Sequence, residues 1–329
     1  MRFLRNKDRD VVELAATDAM PEAVHVLDER SIQAINAALA AKRPLLVRGE
    51  PGIGKSQLAR AAAKELGRAY VHQVVDSRTE SRDLLWHFDA IERLAEAQLR
   101  GALGGSLADV KRDLKIANYV HPGPLWWAFD WVGAKNQAAV VSRPQPKQWD
   151  AGNPDNGCLV LIDEIDKAES DVPNGLLEAL GAGTFIPQGC DEPVQVDKIA
   201  PLVMITTNEE RALPDAFLRR CLVLHLALPS LPDDRTALQS LLVERGRAHF
   251  KAAADRVLAQ AANILIDYRL ELLRLHRLPL PGQAEYLDLL RAVINLGATP
   301  ERQEELLFEI ADYTVRKHPD LASADVKRN

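Results

Sequence analysis

The residues best suited to chemistry in this chain begin with Gly49-Glu50-Pro51-Gly52-Ile53-Gly54-Lys55-Ser56, a G-x-x-x-x-G-K-S pattern. It follows the apolar run Leu45–Val47, which reads as a buried strand, and precedes the alanine-rich stretch Gln57–Leu66, which reads as a helix. Glycines let backbone N–H groups turn inward around a phosphate, and the N-terminus of the following helix adds its positive dipole. In that setting Lys55 reaches the β- and γ-phosphates and the Ser56 hydroxyl holds Mg²⁺. An ordinary glycine-rich turn needs neither flank.

A second group completes such a site. The apolar run Cys158–Ile162 ends in Asp163-Glu164, placing two carboxylates at the C-terminal end of a buried strand, where parallel sheets carry their active sites. There Asp163 orients Mg²⁺ and Glu164 polarises a water for attack on the γ-phosphate. The run Leu202–Thr206 delivers Thr207-Asn208 to the same edge. The Asn208 amide can hydrogen-bond the γ-phosphate or the attacking water, or it can serve as a turn residue. Arg219-Arg220 close a short helical stretch from Leu213. They fit either structural ion pairs or a guanidinium offered to phosphate.

The elements that must hold these groups need a large chain, and 329 residues suffice for two domains. Hydrophobic residues at 47% and charged ones at 27% are usual for a soluble globular protein. A net charge of −6 argues against broad nucleic-acid binding, because no basic excess exists to neutralise phosphates. Cys158, Cys190 and Cys221 are unclustered; Cys158 and Cys221 start apolar runs and read as buried small hydrophobes. The first ten residues are charged, without a signal-peptide apolar core, and no apolar run approaches a membrane span. Together these predict a cytoplasmic protein.

In chain order, residues 1–30 read as a polar lead-in, and Ser31 as the cap of a helix over Ile32–Ala41. That helix either touches a nucleotide base or packs on the sheet. Ala69–Val75 reads as a strand. A helix is expected from about Asp83, with Leu84, Phe88, Ile91, Ala95 and Leu99 on one face and Gly101, Gly104 and Gly105 ending it, then a short helical stretch over Leu107–Ala117. The aromatic stretch His121–Trp131 is either a satellite core beneath a loop or a contact surface for a partner. Residues 133–157 read as a long mobile loop. A helix over Ser170–Leu180 precedes a hairpin at about 184–199, and Leu222–Leu226 reads as a fifth strand. Helices alone follow, over about 233–250, 255–275, 283–296 and 300–317. The expected domains are an α/β nucleotide-binding domain at 31–229, with insertions at about 84–157 and 184–199, an all-α lid at 230–318 and a flexible tail at 319–329.

Taken in this order, the motifs resemble those of AAA+ ATPases over about residues 25–297. Gly123-Pro124-Leu125 and Leu176-Leu177-Glu178-Ala179-Leu180 are similar to the MoxR group, which has a helix-2 insertion and a hairpin before the sensor-1 strand. The resemblance implies a parallel five-stranded sheet flanked by helices and followed by a helical lid. It implies Gly49–Ser56 as Walker A, Asp163-Glu164 as Walker B and Asn208 as sensor 1. Arg219 or Arg220 would be the arginine finger offered to a neighbouring subunit. It further implies ATP and Mg²⁺ as ligands, a ring homo-oligomer, often a hexamer, and a remodelled partner protein, frequently one with a von Willebrand A domain. One departure stands out: Leu280-Pro281-Gly282-Gln283-Ala284-Glu285 has no arginine where the family often places sensor 2, Arg291 lying beyond it and Arg274 and Arg277 before it.

These residues are compatible with an ATP-hydrolysing remodeller, with an ATP-dependent switch of slow turnover, and with a DNA-handling motor, against which the acidic balance weighs. A small-molecule kinase needs neither Arg219-Arg220 nor a helical lid.

Overall fold

Apolar runs rich in Leu, Val and Ile, too short for helices, become parallel strands buried on both faces. The structure is a computed structural model, which describes residues 2–5, 10–18, 21–103, 107–169 and 171–316. An antiparallel hairpin of β1 (Asp10–Leu14) and β2 (Ala23–Leu27) leads into α1 (Glu29–Ala41), β3 (Leu45–Arg48), α2 (Lys55–Leu66) and β4 (Arg68–Val74). An insert follows: β5 (Trp86–Phe88), α3 (Ala90–Leu103), α4 (Leu107–Asp113), β6 (Val120–Pro122), α5 (Pro124–Phe129) and α6 (Trp131–Val140). Then come β7 (Asn153–Asp163), α7 (Asp171–Ala182), the short antiparallel pair β8 (Thr184–Phe185) and β9 (Val194–Gln195), β10 (Leu202–Thr207), α8 (Asp215–Leu218) and β11 (Leu222–His225). The described chain closes with α9 (Arg235–His249), α10 (Asp255–Arg274), α11 (Gln283–Leu296) and α12 (Pro300–Thr314).

The main sheet has the order β11-β3-β10-β7-β4, every neighbour parallel. β10 therefore lies between β3 and β7, so the loops leaving these strands emerge side by side. Period-two alternation sends Leu159 and Leu161 to the face covered by α1 and α2, and Cys158, Val160 and Ile162 to the face packed by α5 and α7. A third core holds α9–α12 together and includes Ile53 of the glycine loop, which ties the helical region to the sheet edge. No described helix is long and apolar enough to cross a membrane.

Several expectations need correcting. The stretch expected as a polar lead-in contains the β1–β2 hairpin, whose Val12, Leu14 and Leu27 are buried with α1 and α2. Ser31 does not cap α1. Asp28 does, its carboxylate accepting the Ser31 N–H at 2.7 Å, because the chain leaves β2 extended at that residue. The single helix expected from Asp83 is broken: a 3₁₀ turn over Ser81–Leu84 leads into β5, so Phe88 sits on a strand paired with Val120. Local periodicity carries no sign of that distant pairing.

The long loop expected at 133–157 shrinks to 141–152. Asp130 caps α6 by accepting the Gly133 N–H at 2.8 Å, and β7 already begins at Asn153. What remains is pinned: the Gln148 amide bonds the Tyr70 backbone on β4 at 2.7 and 3.1 Å, and Asp150 pairs with Arg60 at 2.7 Å. The aromatic stretch is core. Trp126 and Trp127 are each 5% exposed and belong to the same cluster as the sheet residues, and Cys158 and Cys221 are buried as expected. The proposed tail at 319–329, together with Gly104, Gly105 and Ser170, lies outside the described residues.

Candidate functional site

The glycine loop joins β3 to α2, and its shape depends on two residues without a Cβ. At Gly49, φ is +155° and a Cβ would meet the Leu226 carbonyl oxygen at 2.3 Å. At Gly52, φ is +74° and a Cβ would lie 2.7 Å from that of Ala284. Gly54 is the N-cap of α2, so no side chain occupies the N–H groups of the first turn, which remain available to an anion.

Lys55 is 7% exposed. Its ammonium donates to Gly49 O at 2.7 Å, Glu50 O at 3.0 Å and Asn208 Oδ1 at 2.6 Å. Burial lowers its pKa, while Asp163, Asp166, Glu164 and Glu209 pull the other way. Ser56 Oγ donates to Asp163 Oδ2 at 2.8 Å, and the Thr206 hydroxyl donates to Asp163 Oδ1. His72 Nε2 lies 3.1 Å from Asp163 Oδ2. Burial alone would raise the pKa of Asp163, yet the bonds from His72, Thr206 and Ser56 hold it below the usual carboxylate range.

Glu164 occupies the left-handed region at φ 61°, ψ 46°, a conformation that costs a non-glycine residue of order 1–3 kcal/mol and recurs at functional sites. Its Oε2 pairs with Lys167 at 2.7 Å, and its Oε1 accepts from Asn208 Nδ2 at 3.3 Å. Buried Asp166 holds the loop beyond Asn208 by accepting the N–H of Glu210 at 3.0 Å. Lys55, Ser56, Asp163, Glu164 and Asn208 all line one cavity of about 400 Å³, to which α11 also contributes lining residues. Cationic and hydroxyl donors face carboxylates there, the donor set that a nucleotide phosphate chain with a divalent cation requires.

This combination of a glycine loop and a carboxylate pair, on strands separated by β10, has a counterpart in known families. The sequence profile of the AAA domain, dynein-related subfamily, matches residues 44–221, over half of the chain. The chain belongs to that AAA family. Among solved structures it is similar to a candidate ATPase from Cytophaga hutchinsonii, at 14% identity and a TM-score of 0.37, over 84% of this chain and 78% of that one.

In this AAA domain the five-stranded parallel sheet and the C-terminal helices agree with the expected P-loop core and helical lid. Nucleotide binding and ATPase activity attach to it at the level of the family. The other expected groups fall in two places. Arg219 and Arg220, just after α8, are exposed and do not line the cavity. Arg43 instead holds their backbone carbonyls, donating to Arg220 O at 3.0 Å and also to Arg219 O. Among the described residues neither side chain makes an ion pair. Of the lid arginines, Arg291 lines the cavity, paired with Asp288 at 2.8 Å, whereas Arg274 and Arg277 do not.

His72, Thr206, Asp166 and Arg269 escaped the reading of the sequence. Arg269, 5% exposed, donates to Pro281 O at 2.5 Å and to Glu50 at 3.2 Å, linking α10 to the glycine loop. Thr206 had a signal, because it closes the apolar run that leads to Asn208. A polar residue spaced like His72 on β4 carries no such mark.

Proposed function

We propose that this AAA domain binds ATP with Mg²⁺ and hydrolyses it. The observation that supports the reading best is the Asn208 amide, which joins Lys55 to Glu164 inside one cavity. Gly49, Glu50, Pro51, Gly52, Ile53, Gly54, Lys55 and Ser56 cradle the phosphates. Ser56 and Asp163, already in contact through an acceptor-rich pair, would hold the Mg²⁺ that neutralises phosphate charge. Glu164 takes the proton of the attacking water, and Asn208 orients it. Arg219 or Arg220, exposed and free of described ion pairs, serves the site of an adjoining subunit in a ring homo-oligomer. In the manner of the MoxR group, that ring remodels a partner protein, with a von Willebrand A domain as the partner type.

A second reading has its own observation. Lys167 holds Glu164 Oε2 at 2.7 Å, and a carboxylate so engaged polarises water poorly. An isolated subunit then turns over slowly and behaves as an ATP-dependent switch until a neighbour or partner displaces Lys167.

The experiment is to measure particle mass with and without ATP, alongside phosphate release. An ATP-dependent ring with substantial turnover supports the remodeller. A ring with slow turnover, unaffected by any partner, supports the switch, and a monomer under all conditions removes the trans role of the arginines.

A further inference from the structure

The stretch His121–Trp131 buries its tryptophans in the core, but its first residue faces another group. On β6, His121 stands directly opposite His87 of β5, so the two side chains leave the strand pair on one face. Asp89, two residues beyond His87, continues that face, and its N–H still bonds Tyr119 O at 2.9 Å. Asp89 then caps α3, its Oδ1 accepting the Glu92 N–H at 2.7 Å, which sets Glu92 in the first turn. Strand pairing and helix cap thus bring Asp89, Glu92 and His121 together, and one ligand-type atom of each lies within 4.8 Å of the others.

The histidine nitrogen in this group is orphaned. His121 Nε2 is shut off from solvent and has no hydrogen-bond partner among the described residues, although buried polar atoms are almost always paired. Glu92 Oε2 lies 3.8 Å from it. That is beyond the roughly 3.2 Å limit of a good hydrogen bond, yet within the span of two bonds of about 2.0–2.2 Å to one shared ion. Burial lowers the pKa of His121, with Arg143 and His87 acting the same way and Glu92 and Asp89 opposing, which favours the neutral imidazole that a metal requires. The positive end of α3 keeps the two carboxylates ionised.

We propose that Asp89, Glu92 and His121 bind a divalent transition-metal ion of the zinc type, which ties the first turn of α3 to β6. An imidazole nitrogen with two carboxylate oxygens suits Zn²⁺ and its first-row neighbours, whereas Mg²⁺ and Ca²⁺ prefer oxygen alone. Three protein ligands leave a fourth position for water. Such a tie has a structural purpose here. Ile91, Leu94 and Leu99 of α3 are exposed, so apolar packing anchors this helix weakly, and polar links such as Arg93 Nε to Leu114 O at 3.0 Å hold it instead. None of the three ligands lines the phosphate cavity, and the inference is independent of the ATP reading.

The test is a calorimetric titration of the full, nucleotide-free chain with Zn²⁺, after chelator has removed any metal carried through purification. One Zn²⁺ is expected per chain. His121→Gln and Glu92→Gln should each weaken binding more than about tenfold, the least that losing even an outer partner of a metal ligand costs. No binding at roughly 100 μM Zn²⁺ overturns the proposal. So do variants that bind as tightly as wild type, which place the ion elsewhere, and displacement by millimolar Mg²⁺, which marks an oxygen-only site. Co²⁺ in place of Zn²⁺ should give the ligand-field bands of a nitrogen–oxygen site, and a thiolate charge-transfer band would move the ion to a cysteine and likewise overturn it. Hydrogen exchange on wild type needs no variant to fold: the first turn of α3 and β6 gain protection with Zn²⁺, and unchanged exchange there contradicts the tie.

Discussion

Lys55 donates to Asn208 at 2.6 Å across 153 positions of chain, so the glycine loop and the loop after β10 are joined directly. The strand order explains it: β10 is paired with β3 on one side and β7 on the other. Asn208 is thereby set between the cation of one loop and the Glu164 carboxylate of the other.

Replacing Lys55 with Ala removes the only lysine lining that cavity among the described residues. A hydrogen bond to a charged group contributes about 1.5–3 kcal/mol, so ATP affinity is expected to fall at least about tenfold. Calorimetric titration checks it. An unchanged dissociation constant would remove Lys55 from the phosphate site.

The arginine pair is expected to act across subunits. Arg219→Ala or Arg220→Ala keeps ATP binding and loses hydrolysis, by about 10³–10⁵ if the guanidinium acts as it does in related phosphoryl transfers. Lysine should substitute poorly, lacking the planar fork. Mixing the inactive arginine variant with Glu164→Gln should restore part of the activity, since some interfaces then pair an intact Glu164 with an intact arginine. Mixed rings that recover nothing would end the trans role.

The tryptophans yield a stability prediction instead of a partner surface. Trp126 stands edge-on to Phe185 at 6.1 Å between ring centroids, and Trp127 to Trp131 at 5.0 Å. Trp127→Ala is expected to cost about 3–5 kcal/mol, the range for deleting a buried aromatic side chain. Denaturant unfolding measures this, and a loss under about 1 kcal/mol would contradict the packing described.

Two histidines make stability fall in mild acid. Burial pushes His25 from the usual 6.5 down to about 3, helped by Arg245 and His249 and opposed by Asp28 and Gln57. Burial likewise pushes His249 down to about 4, helped by Arg291 and Arg245. Both are neutral in the folded chain, so below the usual value the unfolded chain takes up protons that the folded chain refuses. Their contribution is complete above pH 6.5 and is lost as pH falls through 4 and then 3. Urea midpoints between about pH 7 and pH 5 should decline, and the double variant His25→Gln, His249→Gln should flatten that decline. An equal slope in the variant would contradict the assignment.

The reach of the sequence is clearest at Asp163. Its position at the end of Cys158–Ile162 was legible, because a fully buried parallel strand must be apolar until it meets the sheet edge. The partners of Asp163 were not. His72 and Thr206 come from strands on either side of β7, and nothing in local spacing records which strands become neighbours. Phe88 shows the same limit: it fitted a helical face, and pairing with distant Val120 made it a strand. The lid helices, by contrast, follow from proline-bounded amphipathic periods, which are local. The lack of an arginine in Leu280–Glu285 was visible in sequence, whereas the seating of Ala284 against Gly52 of the glycine loop was not.

Nothing probes the site more directly than parallel measurement of bound nucleotide and released phosphate for wild type and Glu164→Gln. Glu164 is the proposed general base, its Oε1 accepting from Asn208 Nδ2 in the cavity, and an amide in its place cannot take a proton from water. Wild type is predicted to bind ATP with Mg²⁺ and release phosphate, and Glu164→Gln to bind ATP equally while release stops. Release by Glu164→Gln at the wild-type rate, or a wild-type chain that binds no ATP, would contradict the account.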